Sequence, residues 1–217
     1  MMVLLNALYF KSMWATPFQK QNTTNRVFYL ENEAGKKSLP MMAQVEKNLP
    51  YFENETFSTI SKAYGNNAFQ MFILLPKEGK MVSDVISLLK NTGWKPYLNS
   101  FKGSYDVDLW LPKFEIKFDI SLKGILSAMG MPDAFDPEKA DFRSMSESAT
   151  FLGVVKQAAS IKVDEEGTVV AVASGGKLIS MDALKEQAVF HADHPFVYLI
   201  AERSSQAILF AGKYMGN

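Results

Sequence analysis

Two histidines flank an aspartate in His191-Ala192-Asp193-His194, and they are the only two in the chain. These types suit a metal pair or a proton relay. The segment reads as extended and is closed by Pro195, however, and side chains three apart on a strand project to opposite faces. They cannot share one ion. A serine nucleophile lacks its setting, because no Gly-x-Ser-x-Gly elbow occurs. Gly175-Gly176-Lys177 has neither the upstream glycine spacing nor the following helix of a phosphate loop. There is no cysteine, hence no thiolate, no disulfide framework and no Cys-based zinc site. Asp164, Glu165 and Glu166 adjoin along an extended turn and read as solvated rather than as an acid/base pair. The residue types therefore offer no catalytic constellation, no metal site and no cofactor.

The stretch from Lys162 to Phe196 is informative in another way. Its acidic turn, Asp164-Glu165-Glu166-Gly167, opens a run of small and β-branched residues from Thr168 to Gly176. A polar, loop-like segment follows, and Val189 to Phe196 starts a final apolar hairpin. A segment with strand composition, tethered between strands as a loop, is a candidate for conformational switching.

The elements around it are mostly strands. Leu4 to Tyr9 is nearly all apolar, as a central strand covered on both faces would be. Alternating runs follow at Asn25–Leu30, Ser38–Val45, Leu49–Phe52 and Phe57–Ala63. Phe69–Leu75 ends at the turn Pro76-Lys77-Glu78-Gly79. Met81–Lys90 places Val82, Val85, Ile86 and Leu89 on one helical face. Ser104–Leu111 alternates, Pro112 interrupts it, and Phe114, Ile116 and Phe118 resume the pattern. Ser121–Met129 reads as a short helix with Leu122, Ile125 and Leu126 inward and Gly130 ending it. Residues 133–147 read as a loop anchored by Phe135, Phe142 and Met145. Gly153–Val163 is a strand, and Phe196–Ile200 with Ala207–Ala211 closes the chain as a hairpin. The class is α+β, mostly antiparallel sheet with a few short helices.

Composition sets bounds on partners. Of 217 residues, 47% are apolar, enough for a real core. Lys and Arg number 23, as do Asp and Glu, so no overall field draws nucleic acid or an anionic membrane. No apolar run reaches the roughly 18 residues of a spanning helix. The opening Met1 to Phe10 has no basic leader and no cleavage site, so it does not read as a signal peptide.

Laid out in this order, the chain resembles the C-terminal portion of the serpins, the conformational protease inhibitors. Asn6-Ala7-Leu8-Tyr9-Phe10-Lys11 with Trp14 and Pro17-Phe18 resembles the end of the family's central strand and the turn after it. Pro40-Met41-Met42, Phe69 to Pro76, and Leu111-Pro112-Lys113-Phe114 follow in family order. So do Gly130-Met131 to Phe135, Ala140-Asp141-Phe142, the hinge Asp164 to Thr168, and the signature Phe190 to Phe196. The resemblance implies one domain portion over residues 1–217, with the reactive loop at about 167–189. It also implies that the family's N-terminal helical half is absent from this chain. A chain alone would then leave a sheet edge and an apolar face uncovered, an aggregation site.

The resemblance implies a suicide mechanism. A protease cuts the exposed loop, the hinge side inserts as an extra strand in the main sheet, and the protease is carried along as a trapped acyl-enzyme. By the family's spacing the reactive bond is Met181–Asp182, with Leu178, Ile179 and Ser180 as alternative positions. Methionine there suits a serine protease with an apolar primary pocket, elastase-like or chymotrypsin-like, with a cysteine protease as a further possibility. The inserting strand would direct Thr168, Val170, Val172 and Ser174 inward from the hinge Glu165-Glu166-Gly167. About a dozen new backbone hydrogen bonds, at roughly 0.5–1.5 kcal/mol each, would release on the order of 10 kcal/mol. The uninserted form would then be metastable and kinetically trapped. Val170 and Val172 stand where inhibitory hinges favour alanine-sized residues, and overpacking costs roughly 1–3 kcal/mol. That departure would slow insertion and favour simple cleavage.

Trp14, Lys113 and Glu165 match the cluster that holds the family's insertion point shut, with Lys113–Glu165 as a partly buried ion pair. Asn6 matches a polar latch whose usual histidine partner is Gln157 here. The resemblance further implies an intact monomer at risk of polymerisation or aggregation, outside the cell or at its surface, with the cytoplasm left open. The alternatives are a non-inhibitory serpin serving storage, carriage or chaperoning, and an inactive truncated fragment.

Overall fold

The computed structural model describes residues 1–31, 35–101, 105–145, 147–167 and 186–216. They divide into two compact units, one of residues 1–11 and 115–162, the other of residues 12–114 and 163–217.

In the first unit, β1 (Met2–Phe10), β9 (Leu152–Val163) and β8 (Phe114–Ser121) form a three-stranded sheet with β9 in the middle. β1 runs parallel to β9 and pairs Asn6 with Gln157. The strand expected to be central and covered thus lies at an edge, and Leu4, Leu5 and Tyr9 are exposed. The short helix α3 (Lys123–Ala128) and a 3-10 turn at Asp133–Phe135 pack on this unit. Phe135, Leu152 and Val155 make its small core, with Leu122, Leu126 and Phe142 against them. Ile125 and Met145, expected inward, are exposed. On so short a helix only the 122/126 row reaches the cluster.

The second unit holds two sheets. A four-stranded sheet has the order β10 (Gln187–His191), β7 (Tyr105–Pro112), β3 (Lys36–Leu49), β2 (Thr24–Tyr29). A five-stranded sheet has the order β12 (Ile208–Tyr214), β11 (Phe196–Glu202), β6 (Phe69–Pro76), β5 (Phe57–Tyr64), β4 (Tyr51–Glu53) and is antiparallel throughout. Central strands β6 and β11 are buried almost end to end. That accounts for their continuous apolar runs where the outer strands alternate. One face of this sheet is covered by α1 (Val82–Thr92) and α2 (Lys95–Leu98). Val82 and Val85 meet Phe57, Phe72, Leu74, Val197 and Leu199, and Trp94 sits edge-on to Phe72 at 4.9 Å. Each such buried side chain contributes about 1.5–3 kcal/mol. Ile86, counted on the inward face of the helix, is exposed instead. Gly93, at φ 73, ends α1.

β7 stops at Pro112, which has no amide to continue the ladder, and β8 resumes at Phe114. Lys113 is left at the break.

Candidate functional site

Residues 13–18 form an irregular strap between the end of β5 and the turn that follows β9. On the β5 side, the Ala15 amide donates to the Ala63 carbonyl at 2.9 Å, and the Gly65 amide donates to the Met13 carbonyl at 2.7 Å. On the other side, the Trp14 amide donates to the Glu166 carbonyl at 3.0 Å and the Phe18 amide to the Glu165 carbonyl at 2.8 Å. The Trp14 indole Nε1 donates to the Asp164 carbonyl at 2.9 Å. Trp14 is 2% exposed, and its ring stacks on Tyr64 at 4.2 Å. The strap therefore grips the acidic turn by three bonds.

The turn has its own closure. Asp164 and Gly167 exchange amide–carbonyl bonds at 3.2 and 3.4 Å, and Gly167 adopts φ 98. Glu165 is 5% exposed, so the expected solvated turn is corrected at this residue. Its side chain points inward because two partners wait there. Lys113 Nζ lies 2.8 Å from one carboxylate oxygen, and the Thr23 hydroxyl donates to the other at 2.8 Å. Glu166 faces outward and pairs with Lys20. Trp14 and Lys113 thus both hold the 164–166 turn, Trp14 through the Asp164 and Glu166 carbonyls and Lys113 through the Glu165 carboxylate, although they are far apart in sequence. Thr23 was not foreseen, since a threonine before a strand carries no signal of its partner.

Burial pushes the Glu165 carboxyl up, but Lys113, the Thr23 hydroxyl and its own amide together outweigh burial and hold it below its ordinary 4.5. A carboxylate depressed in the folded state contributes stability above its unfolded value, and loses it as pH falls through the folded one. An acid loss of stability beginning below about pH 4.5 is therefore expected, and it should shrink in Glu165→Gln. Urea midpoints measured from roughly pH 6 to pH 3 in both proteins check this. Parallel curves would show that Glu165 has no part in it.

A second buried charge lies behind the strap. Lys62 sits on the core-facing side of β5 with Ile60 and Tyr64 and is fully buried. It pairs with Glu46 of β3 and donates to the Thr16 carbonyl at 2.8 Å. Its ammonium lies 5.3 Å from the Trp14 ring centre and 4.7 Å from that of Phe18. Burial pushes this lysine down from its ordinary value, against the pull of Glu46. The signal for it was present in the sequence, because the alternation of Phe57–Ala63 puts Lys62 in phase with Ile60.

Asn6 and Gln157 stand opposite one another in the β1–β9 register, Asn6 exposed and Gln157 half-buried. Thr168, Val170, Val172, Ser174, Met181 and Asp182 lie outside the described residues. The two histidines go separate ways. His191 stacks on Trp110 at 3.6 Å and meets Asp108 at 3.0 Å, while His194 bridges Asp193 and the Pro76 carbonyl. Among the described residues no cluster of metal-ligating side chains forms.

Mixed sheets, a strand break at Lys113 and a gripped acidic turn accord with a serpin, and the chain belongs to that family. The model of the family described as Serpin (serine protease inhibitor) matches residues 1–216. Serpin B10 of Otolemur garnettii is 34% identical over 98% of this chain and 54% of its own length. The leukocyte elastase inhibitor of Xenopus laevis is 35% identical over 98% of this chain and 57% of its own. A solved serpin from the trematode Schistosoma haematobium superposes with a TM-score of 0.82 at 28% identity, covering 98% of this chain and 56% of that one. The chain thus spans about half the length of the curated relatives it matches.

Proposed function

We propose that the protein carrying this chain inhibits serine proteases as a suicide substrate, with a reactive loop at about 167–189 cut near Met181–Asp182. The observation that carries the reading is the gripped turn. Gly167, the last described residue before the loop, is bridged to Met13, and the preceding carbonyls are held by Trp14 and Phe18. A hinge held this way separates an expelled state of the loop from an inserted one. The small and β-branched run from Thr168 to Gly176 supports insertion, against which Val170 and Val172 would act by overfilling the slot. Asn6 and Gln157, opposed in the β1–β9 register, would serve as a latch.

The target class is a protease with an apolar primary pocket, in keeping with Met181 and with a relative named for leukocyte elastase. Neither Serpin B10 nor the leukocyte elastase inhibitor lends support to an extracellular location.

Incubating the intact protein with an elastase and running a denaturing gel tests the reading. A covalent, detergent-stable complex is expected, together with a sharp rise in the heat-denaturation midpoint of the cut inhibitor. Complete cleavage with no complex and no rise would place the protein with the non-inhibitory serpins.

A further inference from the structure

The strap of residues 13–18 holds the hinge, and something must hold the strap. Its main-chain ties to β5 come from Met13 and Ala15. Beyond Ala15 the chain meets Thr16 and then Pro17, which has no amide to donate. The Thr16 carbonyl is instead met by Lys62, a side chain rooted in the core strand β5. The same ammonium faces the rings of Trp14 and Phe18, the two residues whose amides grip the turn. Glu46, on the other sheet of the unit, supplies the counter-charge and itself accepts from Gln44 at 2.8 Å.

A buried ion pair is a poor way to gain stability, since an apolar pair of similar volume often serves as well or better. Its value lies in direction. An ammonium has three donors, and here one goes to the Glu46 carboxylate and one to the Thr16 carbonyl, while the charge lies near two aromatic rings.

We infer that Lys62, paired with Glu46, is a positioning residue that pins the Trp14–Phe18 strap against the core and so keeps the 164–167 hinge gripped. Its bearing on inhibition rests on the suicide-substrate reading given above. Its bearing on the strap does not.

Hydrogen exchange of single amides in the intact protein, without protease, tests the inference. Two variants are used, Lys62→Met alone, which leaves Glu46 its bond from Gln44, and Lys62→Met with Glu46→Leu. In both, the Trp14 and Phe18 amides should exchange at least about tenfold faster, while Phe72, Leu74 and Leu199 in the central strands stay within about twofold. The heat-denaturation midpoint of the double variant should not fall. Unchanged exchange at Trp14 and Phe18 overturns the inference. Uniform acceleration, or failure of both variants to fold, overturns it too, because the pair would then be a general support. Selective loosening in a protein that forms no covalent complex would sink the inhibitor reading and leave this one standing.

Discussion

Trp14→Ala should cost about 3–5 kcal/mol of stability, the range for emptying a buried aromatic site. The indole is 2% exposed, stacks on Tyr64 and lies over Lys62, so its removal opens a cavity beside a buried cation. It also withdraws one of two donors to the Asp164 carbonyl, the other being the Gly167 amide at 3.2 Å. Trp14→Phe separates the two contributions. It keeps a ring against Tyr64 and removes the indole N–H, and about 1 kcal/mol is expected for that bond, with a further cost for the smaller volume. Urea unfolding followed by circular dichroism measures both variants without relying on the tryptophan that is lost. The hinge should respond more than the rest of the molecule, with limited proteolysis at 164–167 rising in Trp14→Ala before the central strands become susceptible. A loss under 1 kcal/mol for Trp14→Ala would mean that the strap is held elsewhere.

The site's legibility differed from that of the fold for a physical reason. Strands and the longer helix announce themselves through the period of their own residues, so β5, β6, β7 and α1 could be drawn from local pattern. Periodicity reports that residues suit burial, but not which surface buries them. Leu4, Leu5 and Ile86 illustrate the gap, since each is apolar, in phase and exposed. The same limit explains β1, whose run looked central and lies at an edge. Trp14, Lys113 and Glu165 have no common period at all, and only the family resemblance linked them before the fold brought Trp14 and Lys113 to the same turn. Thr23 and Glu46 had neither kind of signal. Lys62 had a local one, a cation in phase with core residues, which periodicity alone treats as noise.

A methyl group added at Gly167 should be more damaging than at any comparable turn glycine described here. Its Cβ would lie 2.4 Å from the Trp14 nitrogen, 2.6 Å from the Ser12 carbonyl oxygen and 2.7 Å from the Met13 carbonyl carbon. All three are main-chain atoms, so no side-chain rotation relieves the clash. The backbone at φ 98 adds strain for any residue with a Cβ. Gly79 supplies the control, since it too has positive φ, at 74, but open space around the added atom. Gly79→Ala should cost only the conformational penalty of about 1–2 kcal/mol. Gly167→Ala should cost about 3 kcal/mol or more, because the Met13–Gly167 bridge must also part. Much of that loss should appear locally, as faster hydrogen exchange at Trp14 and Phe18, whose amides are bonded to the same turn. If Gly167→Ala proved no costlier than Gly79→Ala, the strap and hinge could not be as closely apposed as the geometry has them. The acidic turn would then have to be held chiefly at Lys113–Glu165.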